Sequence, residues 1–165
     1  MGDSAGGGSC ILSSIECFAQ KLPQPAGSIL LSPWIDMSMR AFNGGNALAE
    51  TDYVNANRDI PGLVKKWLGT EFWETSPEVN PLYHEPEGIK GLNPQLILVG
   101  AAEFTLPESK SWAELCEKAQ VSHKLVCEWG QVHNYALGSA WVEPGVRRGT
   151  DERIVAWMQM CLNSE

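Results

Sequence analysis

The sequence predicts one α/β domain built on a parallel sheet with helices on both faces. Three observations carry that reading. Apolar runs bounded by turn residues occur at 27–32, 95–99 and 124–129. Segments whose apolar residues recur at helical spacing lie between them. Strands that alternate with helices form crossover units, and the crossovers lay helices over both sheet faces.

The elements follow in order. From about 8 to 20, Ile11, Leu12, Ile15, Phe18 and Ala19 fall on one helical face. Pro23 and Pro25 end that helix, because proline removes a donor and crowds the preceding turn. The run 27–32 (GSILLS) reads as a strand buried on both faces. Residues 34–46 read as a loop. Residues 51–70 predict one or two short helices split at Pro61, with Leu63, Val64, Trp67 and Leu68 inward. Residues 74–94 hold four prolines and no periodicity, and long excursions of this kind are often functional. QLILVG at 95–100 is the clearest strand. Residues 108–120 form an amphipathic helix with Trp112, Leu115 and Ala119 inward, and 122–129 a third strand. Thr150-Asp151 is placed to cap a last helix with the stripe Ile154, Val155, Trp157, Met158 and Cys161.

Composition narrows the function classes. The 165 residues, 44% hydrophobic and 19% charged, suit a single core, so one domain is expected over 1–165. A net charge of −8 repels phosphate backbones, which argues against a nucleic-acid partner. The five cysteines, Cys10, Cys17, Cys116, Cys127 and Cys161, make no CxxC pair or zinc spacing. They read as buried free thiols in a reducing compartment, hence a cytoplasmic location. Neither a signal peptide nor a bilayer-spanning run is visible, and no cofactor or metal pattern is present.

The chemistry starts at Gly2-Asp3-Ser4-Ala5-Gly6, a G-x-S-x-G sequence directly before a helix. Such a sharp turn exposes a serine hydroxyl, and flanking glycines spare the backbone Cβ clashes. The N–H of Ala5 and the positive helix end face the spot where an oxyanion would develop. A glycine-rich linker or phosphate loop is the competing reading, but no Walker lysine follows. A nucleophilic serine needs a base and an orienting acid. Among His84, His123 and His133, the last lies in a loop just past a strand, at the sheet edge where open α/β sheets place their sites. His123 opens the third strand and reads as structural, and His84 as a surface residue. No aspartate occurs between Asp59 and Asp151, so the acid must be glutamate: Glu103, just past strand 95–99, or Glu108, which would also complement a helix dipole. Glu103 is nearer the strand end and is preferred, giving the chain order Ser, Glu, His.

These segments resemble a known family. GDSAGG at 2–7, SILLSPWIDMS at 28–38, GAAEFTLPE at 100–108 and GQVH at 130–133 are similar to the hormone-sensitive-lipase-like esterases of the α/β-hydrolase fold. The resemblance covers essentially the whole chain. It implies a partial α/β-hydrolase fold and hydrolysis of small or medium carboxylic esters without a cofactor. Glu103 stands where the family usually has aspartate, and Pro107 where it has an acidic residue. The family's HGGG oxyanion loop, first strands and lid precede its elbow, whereas this chain opens at Met1-Gly2. The resemblance therefore implies a C-terminal portion, without even the strand leading into the elbow. Weak or absent turnover of short aryl esters is expected, since each lost oxyanion donor costs about 10²–10³ in rate.

Three readings result. The first is an esterase acting on a small-molecule ester. The second is a truncated or inactive α/β-hydrolase-like binding protein. The third is an interaction module that pairs an exposed sheet edge with another chain, which leaves a homo-oligomer open. Trp34, Phe72, Trp73 and Tyr83 are the aromatics that suggest an apolar lining.

Overall fold

The computed structural model describes residues 1–42 and 45–163. Four parallel strands, β1 (Gly2–Asp3), β2 (Ser28–Leu31), β3 (Gln95–Gly100) and β4 (His123–Glu128), lie in the order β1-β2-β3-β4. Between them run α1 (Ala5–Ala19), α2 (Leu48–Thr51), α3 (Ala56–Leu68), α4 (Pro86–Ile89) and α5 (Leu106–Lys118), and α6 (Pro144–Leu162) follows the last strand. This is the α/β-hydrolase architecture, as expected for the three longer strands. The expectation that no strand leads into the elbow is corrected: Gly2 and Asp3 pair with Leu30 and Leu31.

Two apolar layers sandwich the sheet. Leu30 and Ile97 point to one face, where they meet Ile11 and Ile15 of α1 and Trp112, Ala113 and Cys116 of α5. Their neighbours Ile29, Leu31, Leu96 and Leu98 point to the other, against Tyr135, Trp157 and Cys161. Both sides of β2 and β3 are therefore buried, which is why these strands read as unbroken apolar runs rather than alternating ones. The edge strand β4 is only half-buried. A third cluster, Trp34, Met37, Ala56, Ile60, Val64 and Phe104, seats α3 over the C-terminal edge of the sheet.

Several sequence expectations need correction. Pro61 does not split α3; it sits inside the helix on its exposed side, where the Asn57 carbonyl that loses a donor is not shut into the core. The excursion 74–94 contains a 3₁₀ turn at Pro81–Tyr83 and the short α4, and a second 3₁₀ turn, Arg40–Phe42, interrupts the loop after β2. The last helix begins not at Thr150 but at Pro144, with Glu143 accepting from the Val146 N–H at 3.0 Å. Thr150 is buried inside that helix and bonds the Val146 carbonyl. Of the expected stripe, Trp157 and Cys161 are buried, whereas Val155 and Met158 are about half exposed. Only Cys116 and Cys161 of the five free cysteines are buried, and Cys127 is exposed. Burial pushes the Cys116 thiol up to about 12, so it stays protonated and inert.

Candidate active site

Each strand ends, at its C-terminal edge, in a residue that reaches one shared spot: Ser4 after β1, Ser32 after β2, Glu103 after β3 and His133 after β4. Open α/β sheets gather their sites at this edge because every parallel strand delivers its following loop there.

Ser4 occupies a positive-φ conformation, φ 49° and ψ −122°, between β1 and α1. A non-glycine residue there is strained and persists only where its surroundings fix it. They do: the Ser4 N–H donates to Leu31 O at 2.9 Å, and Ser4 O accepts from the N–H groups of Gly7 (3.0 Å), Gly8 (3.3 Å) and Trp34 (2.9 Å). Gly2 is required by close approach, since a Cβ there would lie 2.3 Å from the Gly6 carbonyl oxygen. Gly6 itself borders open space, so the second glycine of the pentapeptide has no steric need to be glycine. Ala5, whose N–H was the expected oxyanion donor, is the first residue of α1.

His133 Nε2 lies 2.9 Å from Ser4 Oγ, joining residues 129 apart in sequence. His133 Nδ1 lies 3.7 Å from Glu103 Oε1, within ion-pair reach but beyond a hydrogen bond, and this buried nitrogen has no hydrogen-bond partner. The reason is visible at Glu103, which is fully buried. Its Oε2 accepts from the Ser32 hydroxyl and the Gly100 N–H, both at 2.9 Å, and its Oε1 from the Thr105 hydroxyl. Four donors thus compete for one carboxylate, and the contact to the imidazole is the longest. Catalytic hydrogen bonds of ligand-free sites are often loose in this way.

Glu108 is elsewhere. Its carboxylate accepts from the backbone N–H groups of Ile35 (2.8 Å) and Asp36, pinning the loop after β2. Burial pushes its pKa well above the ordinary glutamate range, the two backbone donors opposing. A raised folded-state value favours the protonated form, so the stability this group contributes is present below about pH 4.5 and lost as pH rises through the raised value. Glu108→Gln, neutral and still an acceptor, is therefore expected to flatten the decline in thermal midpoint as pH rises above about 4.5. Parallel melting curves for the two proteins check this, and identical pH slopes would contradict it.

His84 Nε2 lies 3.1 Å from the Pro77 carbonyl and His123 Nδ1 3.0 Å from that of Val121, both local contacts away from Ser4. Of the aromatics expected to line a pocket, Trp34 stays near the serine, in one cluster with Phe104 and Ala5, whereas Tyr83, Phe72 and Trp73 make their contacts elsewhere. Trp34 packs on Trp67, with centroids 6.2 Å apart. Tyr83 lies 5.0 Å under the Arg40 guanidinium. Phe72 and Trp73 border a surface depression with Pro61, Val64 and Leu68. The rings beside His133 are instead Phe104 at 4.9 Å and Tyr53 at 6.1 Å. Sequence reading also missed Ser32 and Asp52. Ser32, at φ 46°, donates to Glu103 and accepts from the Asn134 N–H at 2.9 Å. Buried Asp52 accepts from the N–H groups of His133 (3.3 Å) and Phe104 (3.4 Å). Burial pushes its carboxyl above the ordinary range, against the pull of His133 and the two N–H donors. Ser32 lies inside the segment 28–38, whose resemblance did not single it out, and Asp52 lies outside every quoted segment. Among the described residues no cluster of three His, Cys, Asp or Glu side chains is arranged to hold a metal, and no helix is long and apolar enough to cross a membrane.

Ser4, on a strained strand-to-helix turn, thus has an imidazole in hydrogen-bond reach and a carboxylate behind that imidazole. Residues 1–137 match the family described as alpha/beta hydrolase fold, and the chain belongs to that family. A protein from Acinetobacter venetianus named as an esterase is 29% identical over 145 residues, covering 85% of this chain and 45% of its own length. Among solved structures, a hormone-sensitive lipase from a metagenome library superposes with a TM-score of 0.86 at 28% identity, over 97% of this chain and 53% of the other. EstE5, from a crystal soaked with p-nitrophenyl butyrate, gives 0.82 at 26% identity, over 99% and 52%. The chain thus spans about half the length of the relatives it matches.

Proposed function

We propose that residues 1–165 form one domain of a serine carboxylic ester hydrolase acting on small or medium acyl esters, such as acetyl esters. Ser4 is the nucleophile, His133 the base and Glu103 the acid. The observation that carries this reading is the 2.9 Å contact of Ser4 Oγ with His133 Nε2, made by a serine held at positive φ. The named function of the Acinetobacter relative supports it. In the reaction, Ser4 Oγ attacks the ester carbonyl carbon while His133 Nε2 takes its proton. The Ala5 N–H, at the head of α1, faces the developing oxyanion. Collapse of the tetrahedral species expels the alcohol with the proton returned from His133, and a water activated by the same imidazole then releases the acid. Five free thiols suit a reducing compartment such as the cytoplasm.

The competing reading, an inactive scaffold, draws on the unpartnered His133 Nδ1. One experiment separates the two. A fluorophosphonate probe is expected to modify the folded chain at Ser4, located by peptide mass spectrometry, and to leave Ser4→Ala unmodified. A folded wild type that takes no label, or takes it at another residue, overturns the esterase reading. Hydrolysis of p-nitrophenyl acetate and butyrate then reports on acyl length, the butyrate being the ester soaked into EstE5.

A further inference from the structure

The segment Thr51-Asp52-Tyr53, just past α2, touches both loops that the proposed triad depends on. The Thr51 hydroxyl donates to the Ala102 carbonyl at 2.9 Å, one residue before Glu103. Asp52 accepts from the N–H of Phe104 at 3.4 Å, one residue after Glu103, and from the N–H of His133 itself, with both oxygens at 3.3 Å. The Tyr53 ring lies 6.1 Å from the His133 ring. Asp52 is buried although Thr51 and Tyr53 beside it are exposed. A buried carboxyl in a short surface segment is costly unless donors meet it, and here the donors are the backbones of the base and of the residue following the acid.

We propose that Asp52 is a positioning residue: it fixes the spacing between the Glu103 and His133 loops and so holds the imidazole at Ser4. Glu103 does not do this alone, since its oxygens are held by Ser32, Gly100 and Thr105 and its contact to Nδ1 is 3.7 Å. The His133 main chain is tied instead through Asp52. A carbonyl-type acceptor suffices for that task, because the partners are N–H groups and not a cation; an asparagine oxygen meets it and an alanine does not. The groups around Asp52 with charge or protons to exchange are His133, Glu103 and Tyr53, and none of them supplies a substitute acceptor to the two amides.

The inference rests on the triad reading, so its test reads both. Wild type, Asp52→Ala and Asp52→Asn are compared by rate of fluorophosphonate modification at Ser4, by kcat and KM for p-nitrophenyl acetate per labelled serine, and by amide hydrogen exchange at His133 and Phe104. Asp52→Ala is expected to lower the labelling rate and kcat on the order of 10- to 100-fold with KM little changed, as follows from a misplacement near 1 Å. Exchange should speed up at the His133 and Phe104 amides more than across β3. Asp52→Asn should restore most of the rate and protection. Normal labelling and protection in Asp52→Ala overturn the positioning role while leaving the triad intact. So does an Asp52→Asn protein as impaired as Asp52→Ala. Absence of Ser4 labelling in the wild type removes the triad and, with it, the role of Asp52 in the reaction; the exchange data still decide whether the clamp on the two loops exists.

Discussion

His133→Ala is expected to bring Ser4 modification and ester turnover down to the rate of the Ser4→Ala protein, a fall of about 10⁴-fold or more wherever the wild-type rate leaves room to measure it. The serine hydroxyl is a poor nucleophile without a base, and loss of either partner removes the step as a unit. Glu103→Gln should fall between the extremes, on the order of 10²- to 10⁴-fold. The hydrogen bonds dictate why. The Gly100 N–H and Ser32 hydroxyl both donate to Glu103 Oε2, so a glutamine there must keep its carbonyl oxygen on them. Its amide nitrogen then takes the Oε1 position, facing His133 Nδ1 with a donor. That stabilises the tautomer protonated on Nε2, which cannot accept the Ser4 proton. Glu108→Gln should leave turnover unchanged, because its contacts are the amides of Ile35 and Asp36. Equal losses in the two glutamine variants would remove Glu103 from its assigned role.

Much of this was legible in the residue order, for definite reasons. β2 and β3 are buried on both faces, and that forces apolar runs too regular to miss. Ser4 stood out because a strained turn leaves a glycine signature, of which the structure requires Gly2 and not Gly6. His133 and Glu103 were reached by assuming that loops past parallel strands converge. What could not be read depends on pairing across long separations. Asp52 meets His133 across 81 residues, and Ser32 meets Glu103 across 71. Neither pairing changes local propensity or periodicity, so no window of sequence contains it. The leading strand β1 was invisible because two residues make no pattern; β2 alone defines it, through its register. The α6 stripe was over-read because Trp157 and Cys161, with half-buried Ile154, pack toward the sheet while Val155 and Met158 meet solvent.

Gly100→Ala should damage stability and chemistry together. Gly100 ends β3 against the backbone of the loop that carries His133. An alanine Cβ there would lie 2.3 Å from the Gln131 carbonyl oxygen and 2.9 Å from Glu103 Oε2. No real Cβ tolerates the first distance, and neither neighbour is the free end of a flexible chain. Gln131 O is held by the Ala102 N–H at 2.9 Å, and Glu103 Oε2 by Ser32 and by Gly100 itself. The backbone must give, and overpacking of this kind costs roughly 1–3 kcal/mol or more. For a chain of this size that lowers the thermal midpoint by about 2–4 °C per kcal/mol, so a drop of roughly 2–12 °C is expected. The displaced segment carries His133 only two residues further on, so Ser4 labelling of the folded variant should also slow, on the order of 10-fold or more. Gly62→Ala serves as the control. It lies inside α3 with nothing within 4 Å of the added Cβ, so alanine there should hold or raise the midpoint, by up to about 1 kcal/mol of helix propensity, and leave labelling alone. A Gly100→Ala protein that melts and labels like the wild type would show that the strand end and the histidine loop are not pressed together as described. The reverse, a fall in labelling with an unchanged midpoint, would place the strain in the Glu103–His133 pair and spare the sheet.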